Sequence, residues 1–189
     1  MTYAGAVLLA PKHDLNSDAQ LHAFLEDTGR WQAVAWLLMV VTGLAWLVFV
    51  VGLRHLLPGS PGRDLFTAAA IAGQAATWAG ASLNTAAAPP PARGLSLPVY
   101  VAFGEAGHLA VATGTAATGL ALLGLARAAA TCGLWPTTVN RGTTIAGVVL
   151  LVAAVIGPVS IPVYALWLLT ISILLLLRSR STSVNAASS

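Results

Sequence analysis

Glu105 and His108 stand three residues apart in a stretch that is otherwise free of charge from Pro98 to Ala126. On a helix that spacing puts a carboxylate and an imidazole on one face. An ionised carboxylate in hydrocarbon costs about 2.5 kcal/mol or more, so such a group turns to a protein interior, finds a partner or keeps its proton. A protonated acid in an apolar site can serve as a general acid, and an acid beside an imidazole can relay protons. The same face continues through Ala112, Thr115 and Gly119, a stripe of small and weakly polar groups.

The elements that position this pair follow from composition. Of 189 residues, 57% are hydrophobic and 8% charged, and the mean hydropathy is +0.81. A soluble domain of this length is less apolar, so the chain reads as an all-α integral membrane protein whose first partners are membrane lipids. The net charge of +3 rests on few groups, which gives no sign of a nucleic-acid partner; the basic residues serve as topology markers. A single cysteine, Cys132, excludes an internal disulfide and a multi-cysteine metal site, and it reads as a small filler near a helix end. His13, Asp14, Asp18 and His22 lack a diagnostic ligand spacing and read as a solvated polar face, so neither metal nor cofactor is expected. Phosphate loops, nucleophile triads and nucleotide fingerprints are absent.

Taken in order, the chain opens with a short apolar run, Tyr3 to Ala10, well below the roughly 20 residues of a membrane span. It reads either as the remnant of a helix upstream of a misplaced start or as a surface-lying segment. Ser17 and Gln20 then form a capping box, and Leu21, Phe24 and Leu25 recur at helical spacing up to Gly29. This predicts a short amphipathic surface helix, acidic through Asp18, Glu26 and Asp27, within an extracytoplasmic segment 1–30. The uncharged run Trp31 to Leu53, edged by Arg30 and Arg54, predicts the first spanning helix of a bundle over 31–178. Pro58 and Pro61 break the chain, and Asp64 is a natural N-cap for a second helix from Leu65 to about Ala88, ended by Pro89, Pro90 and Pro91.

The second helix is polar for a membrane span, with Gln74, Thr77, Ser82 and Asn84 beside small residues such as Gly73 and Gly80, which suits an interior position. A short connection makes the third helix its antiparallel neighbour. At 1.5 Å per residue, Glu105 lies about 12 Å and His108 about 16 Å from the start of that helix, level with Ser82 and Thr77 at about 9 and 16 Å. The expectation is one buried polar cluster of Thr77, Ser82, Glu105 and His108, with Gln74 deeper and Asn84 nearer the mouth. Thr143 to Leu177 is uncharged and would measure about 52 Å as one helix, so Gly157, Pro158 and Pro162 are read as a hairpin between helices four and five. Five spans put Arg54, Arg63, Arg127, Arg141, Arg178 and Arg180 on one side against Lys12, Arg30 and Arg93, which places the N-terminus outside the cell membrane and a disordered tail, 179–189, in the cytoplasm.

The run LHAFLEDTGRWQAVAWLLMVVTGLAWLVFVVGLRHLL, with the late hairpin and its ending ALWLLTISILLLLRSR, resembles a group of small uncharacterised actinobacterial membrane proteins known only by a domain of unknown function. The resemblance rests on hydropathy order and alanine-rich composition over most of the chain. It implies a multi-helix membrane fold, often with one more helix before the acidic segment, and brings no catalytic motif with it.

Three functions fit the pair. In the first, Glu105 and His108 share a hydrogen bond and fix helix register in a structural or accessory bundle. In the second, Glu105 is the general acid and His108 its partner in a terpenoid-cyclase-like membrane enzyme. The substrate, a lipid or isoprenoid, would be held by Gln74, Thr77, Trp78, Ser82, Asn84, Tyr100, Phe103, Tyr164 and Trp167, with the aromatic faces stabilising cations. In the third, the pair serves proton- or cation-coupled transport.

Overall fold

A computed structural model describes residues 17–86, 96–156 and 166–174. Four helices carry most of these: α1 (Asp18–Leu56), α2 (Pro61–Ala86), α3 (Leu97–Cys132) and α4 (Thr137–Ile156); residues 166–174 are helical too. No strand occurs among the described residues, as an all-α fold requires.

Local chemistry sets the ends. The Ser17 side chain accepts a hydrogen bond from the Gln20 amide at 3.3 Å and caps α1. Leu57 ends it with extended angles, φ −99 and ψ 139, as a residue before proline must. Ser60, not Asp64, starts α2: its hydroxyl accepts from the Arg63 amide at 3.2 Å and its carbonyl from Asp64 at 3.1 Å, with Pro61 following. Asp64 instead pairs with Arg63 at 3.4 Å. Gly133 closes α3 at φ 60, a left-handed conformation that favours glycine.

The expected break at Gly29 is absent. A surface helix followed by a separate span is replaced by one 39-residue helix that runs through both. A lone glycine costs a helix only about 1 kcal/mol, too little to stop good helix formers on either side when no proline follows.

α2 and α3 form an antiparallel pair closed by glycine against glycine. A Cβ on Gly80 would stand 2.5 Å from the Gly107 carbonyl oxygen, and one on Gly73 3.0 Å from that of Gly114. Gly119 and Gly147 bring α3 and α4 together in the same way, with a Cβ on Gly119 falling 2.7 Å from the Gly147 oxygen. In lipid the solvent is as apolar as leucine, so helices gain by close backbone approach and not by hiding apolar area.

The main core gathers at one end: Trp46, Val50 and Leu53 from α1, Phe66 and Ala70 from α2, Leu122 and Leu125 from α3, Leu150 from α4, and Trp167 and Ile171. Trp167 stands edge-on to Trp46, with ring centroids 6.3 Å apart, and its indole donates to the Thr143 hydroxyl at 3.1 Å. Residues 24 apart on one straight helix would be about 36 Å distant, so the chain reverses between Thr143 and Trp167. The residues of the expected hairpin, 157–165, lie outside the described ones, as do 1–16 and the 179–189 tail.

Three described helices are long and apolar enough to cross a membrane, over Trp36–Leu56, Leu97–Cys132 and Thr137–Val155. Five spans are not supported. α2 is long enough at 26 residues, but Gln74, Thr77 and Ser82 lower its apolarity; of the fifth expected span only 166–174 is described.

Candidate functional site

The buried cluster does not form among the described residues. Glu105, His108 and Ser82 are exposed, and Thr77 is half-buried. The axial register agrees with expectation, since Gly80 opposite Gly107 puts Ser82 level with Glu105. Rotation about the axis is what differs. Gly107 and Gly114 face α2, and Glu105, two residues before Gly107, points about 200° away from that seam.

Each polar group then finds its own arrangement. The Thr77 hydroxyl donates to the Gly73 carbonyl at 2.9 Å and lies against Gly114 in the α2–α3 seam. His108 Nδ1 lies 2.8 Å from the Gly104 carbonyl, an oxygen that can only accept, so this nitrogen carries the proton. No hydrogen bond joins Glu105 to His108, and Glu105 has no partner among the described residues.

Gln74 and Trp78 turn the other way, onto α1. A Cβ on Gly43 would be 2.5 Å from Gln74 Nε2 and 2.6 Å from Trp78 Nε1, so Gly43 leaves the gap these side chains fill. Trp78 Nε1 is buried without an acceptor among the described residues, a cost carried by this packing. The expected aromatic lining is likewise dispersed. Tyr100 is buried near the start of α3, Phe103 is 36% exposed, and Trp167 belongs to the core at the opposite end. The Asn84 side chain and Tyr164 lie outside the described residues, as do His13, Asp14 and the His22 side chain. Among the described residues no group of three or more His, Cys, Asp or Glu could hold a metal ion.

Two arrangements escape the sequence reading. The Asp18 carboxylate accepts from the Leu97 amide at 2.7 Å and so caps α3 from another helix, where the Ser96 side chain makes no cap bond. At the opposite end, a hollow of about 280 Å³ is lined by Arg54, His55, Leu57 and Arg63. A signal for the hollow was present in the sequence, since a four-residue turn separates α1 from α2 and must hold Arg54 and Arg63 close. No sequence signal pairs Asp18 with Leu97.

Among the described side chains the arginines collect at one end. Arg54, His55, Arg63, Arg127 and Arg141 sit where α1 and α3 end and α2 and α4 begin, while Asp18 marks the far end. Comparison with family models, with characterised proteins and with solved structures finds no match.

Proposed function

We propose that the chain is an integral membrane bundle with a structural or accessory role, which meets a membrane-embedded partner through the exposed stretch of α3 around Glu105 and His108. One observation carries this reading: Glu105 and His108 are exposed on α3, turned from its α2 seam and on the face that packs on α4 only farther along, at Gly119, with no shared pocket among the described residues. A general acid needs a water-excluded site beside its substrate, and the exposed Glu105 carboxylate has none among the described residues. Of the aromatic side chains proposed to cradle a cation, Trp167 belongs to the core at the arginine-rich end, away from Tyr100 and Phe103 near the start of α3.

Length supports the placement. A 36-residue helix is about 54 Å long, and a hydrocarbon layer of about 30 Å takes about 20 of its residues. Centring α3 in that layer puts Glu105 at its outer edge, where a carboxylate keeps contact with headgroups and His108 sits one turn deeper. We further propose that the arginine-rich end is cytoplasmic and the Asp18 end external, which the positive-inside bias supports. The chain reversal between Thr143 and Trp167 supports a last crossing back to the cytoplasm, and with α2 sheltered between α1 and α3 this makes five crossings.

A photo-reactive residue in place of Leu109, which is 71% exposed beside the pair, tests the association. In cells it is expected to form a discrete protein adduct that Glu105→Gln abolishes. The same probe at Val155, 88% exposed on α4, is expected to label lipid only. Identical lipid labelling at both positions would overturn the proposal. The sole cysteine tests the topology: Cys132 is exposed at the arginine-rich end and should react with a membrane-impermeant maleimide only after the cells are opened.

A further inference from the structure

The open hollow between the end of α1 and the start of α2 is lined by three basic side chains and one apolar one. Arg54 and Arg63 supply the cationic groups, His55 adds an imidazole, and Leu57, 5% exposed, forms the wall. Asp64 is the acid at hand, and it engages Arg63 through Nε and Nη2 at 3.4 Å, the long limit of a hydrogen bond, which leaves the other terminal nitrogen of that guanidinium uncommitted. The Arg54 guanidinium has no hydrogen bond or ion pair among the described residues. Guanidinium groups are shaped for bidentate contact with the oxygens of a phosphate, and two of them on one hollow with a single partly satisfying carboxylate leave net positive charge for an anion to neutralise.

The surroundings select the source of that anion. Leu56 and Leu65, 54% and 45% exposed, border the turn, and Val48 and Val51 continue an exposed apolar strip down α1, at 73% and 53%. A molecule with its phosphate in the hollow would lay acyl chains along that strip, a geometry a free inorganic anion has no use for. Basic pockets between membrane helices on the cytoplasmic side are suited to lipid headgroups for the same electrostatic reason. We propose that this hollow is a binding site for the phosphate of an anionic lipid headgroup, held by Arg54 and Arg63 with His55 beside them.

The full chain, purified in a neutral detergent, would be mixed with phosphatidylglycerol, phosphatidylcholine or inorganic phosphate, and retained molecules counted by native mass spectrometry. The expected result is one phosphatidylglycerol held about tenfold more tightly than phosphatidylcholine, with the preference falling below about twofold in Arg54→Gln and in Arg63→Gln. Arg54→Lys, which keeps the charge and loses the fork, should fall between. Arg141→Gln removes a charge from the same end without lining the hollow, so it should leave the preference unchanged; circular dichroism would confirm that each variant is folded. Full competition by millimolar inorganic phosphate would support the anion site and assign it to free phosphate. Equal losses in Arg141→Gln and Arg54→Gln, or no headgroup preference in the parent chain, would overturn the proposal.

Discussion

At the arginine-rich end, Leu53, Phe66, Leu122 and Leu150 come from four different helices and are each no more than 2% exposed; along α1 toward the Asp18 end, no described residue from Val34 to Thr42 is buried. The same chain thus packs one half around large side chains and leaves the described stretch of α1 in the other uncovered, where the α2–α3 glycine seam, the Asp18 cap and the buried Leu21 and Tyr100 hold the helices. Both halves are apolar. The difference teaches that hydrophobicity does not decide what is inside a membrane bundle: shape does, because a leucine gains nothing by leaving lipid unless its neighbours fit around it. Polar groups follow the same logic, with Thr143 and Trp167 satisfying one another within the packed half and Glu105 left exposed in the other.

The sharpest break in that contrast comes from removing bulk in each half. Phe66→Ala should destabilise the folded bundle by about 3 kcal/mol, the low end for an aromatic cavity, whereas Leu38→Ala, at a position 61% exposed, should change stability by less than about 0.5 kcal/mol. Unfolding in mixed micelles at increasing denaturing detergent measures both. Similar losses at the two positions would mean that α1 is covered along its outer part and that the two halves do not differ.

Adding bulk tests the seam. Gly80→Leu would force a side chain onto the Gly107 carbonyl, with a Cβ only 2.5 Å from its oxygen, and should cost about 2 kcal/mol or more. Gly52→Leu on α1 meets nothing within 4 Å and should be neutral or slightly stabilising through helix propensity. The same assay reads the pair. If Gly80→Leu were tolerated, the backbones of α2 and α3 would not be in contact in the half toward Asp18.

Sequence alone made much of this legible, and the boundary has a physical cause. The class, the ends near Leu57 and Cys132 and the level at which Ser82 meets Glu105 all follow from one-dimensional signals: hydropathy, proline, glycine and residue counting. Rotation about the helix axis does not. The residues flanking Glu105 are uniformly small, Gly104, Ala106 and Gly107, so no amphipathic pattern indicates which side turns inward. The backbone solved that by placing Gly107 and Gly114 in the seam, and the acid followed to the far side. Gly29 misled in the opposite sense, since a glycine without a following proline is a weak stop.

The cap across helices offers a smaller effect that sharpens the same comparison. Asp18→Asn keeps an oxygen near the Leu97 amide but removes the charge, and should cost about 0.5 kcal/mol, seen as faster amide exchange over Leu97 to Tyr100 and unchanged exchange around Leu122. Exchange accelerating equally at both places would make Asp18 part of a single cooperative unit and would erase the distinction between a fastened end and a packed one.

The smallest stability effect is expected where the sequence first drew attention. Glu105→Gln removes a charge from an exposed side chain that has no partner among the described residues, so the purified chain should lose less than about 0.5 kcal/mol. An internal carboxylate hydrogen-bonded to His108 would give a larger change, about 1 to 3 kcal/mol, because the imidazole would be left without its acceptor. Since His108 Nδ1 is already engaged by the Gly104 carbonyl, the substitution leaves that bond intact, and the imidazole signals of the variant should not shift by nuclear magnetic resonance. A stable chain with an unchanged His108 would locate the function of the carboxylate outside the fold, in what α3 meets in the membrane. A destabilised one would mean that the half toward Asp18 closes over its acid.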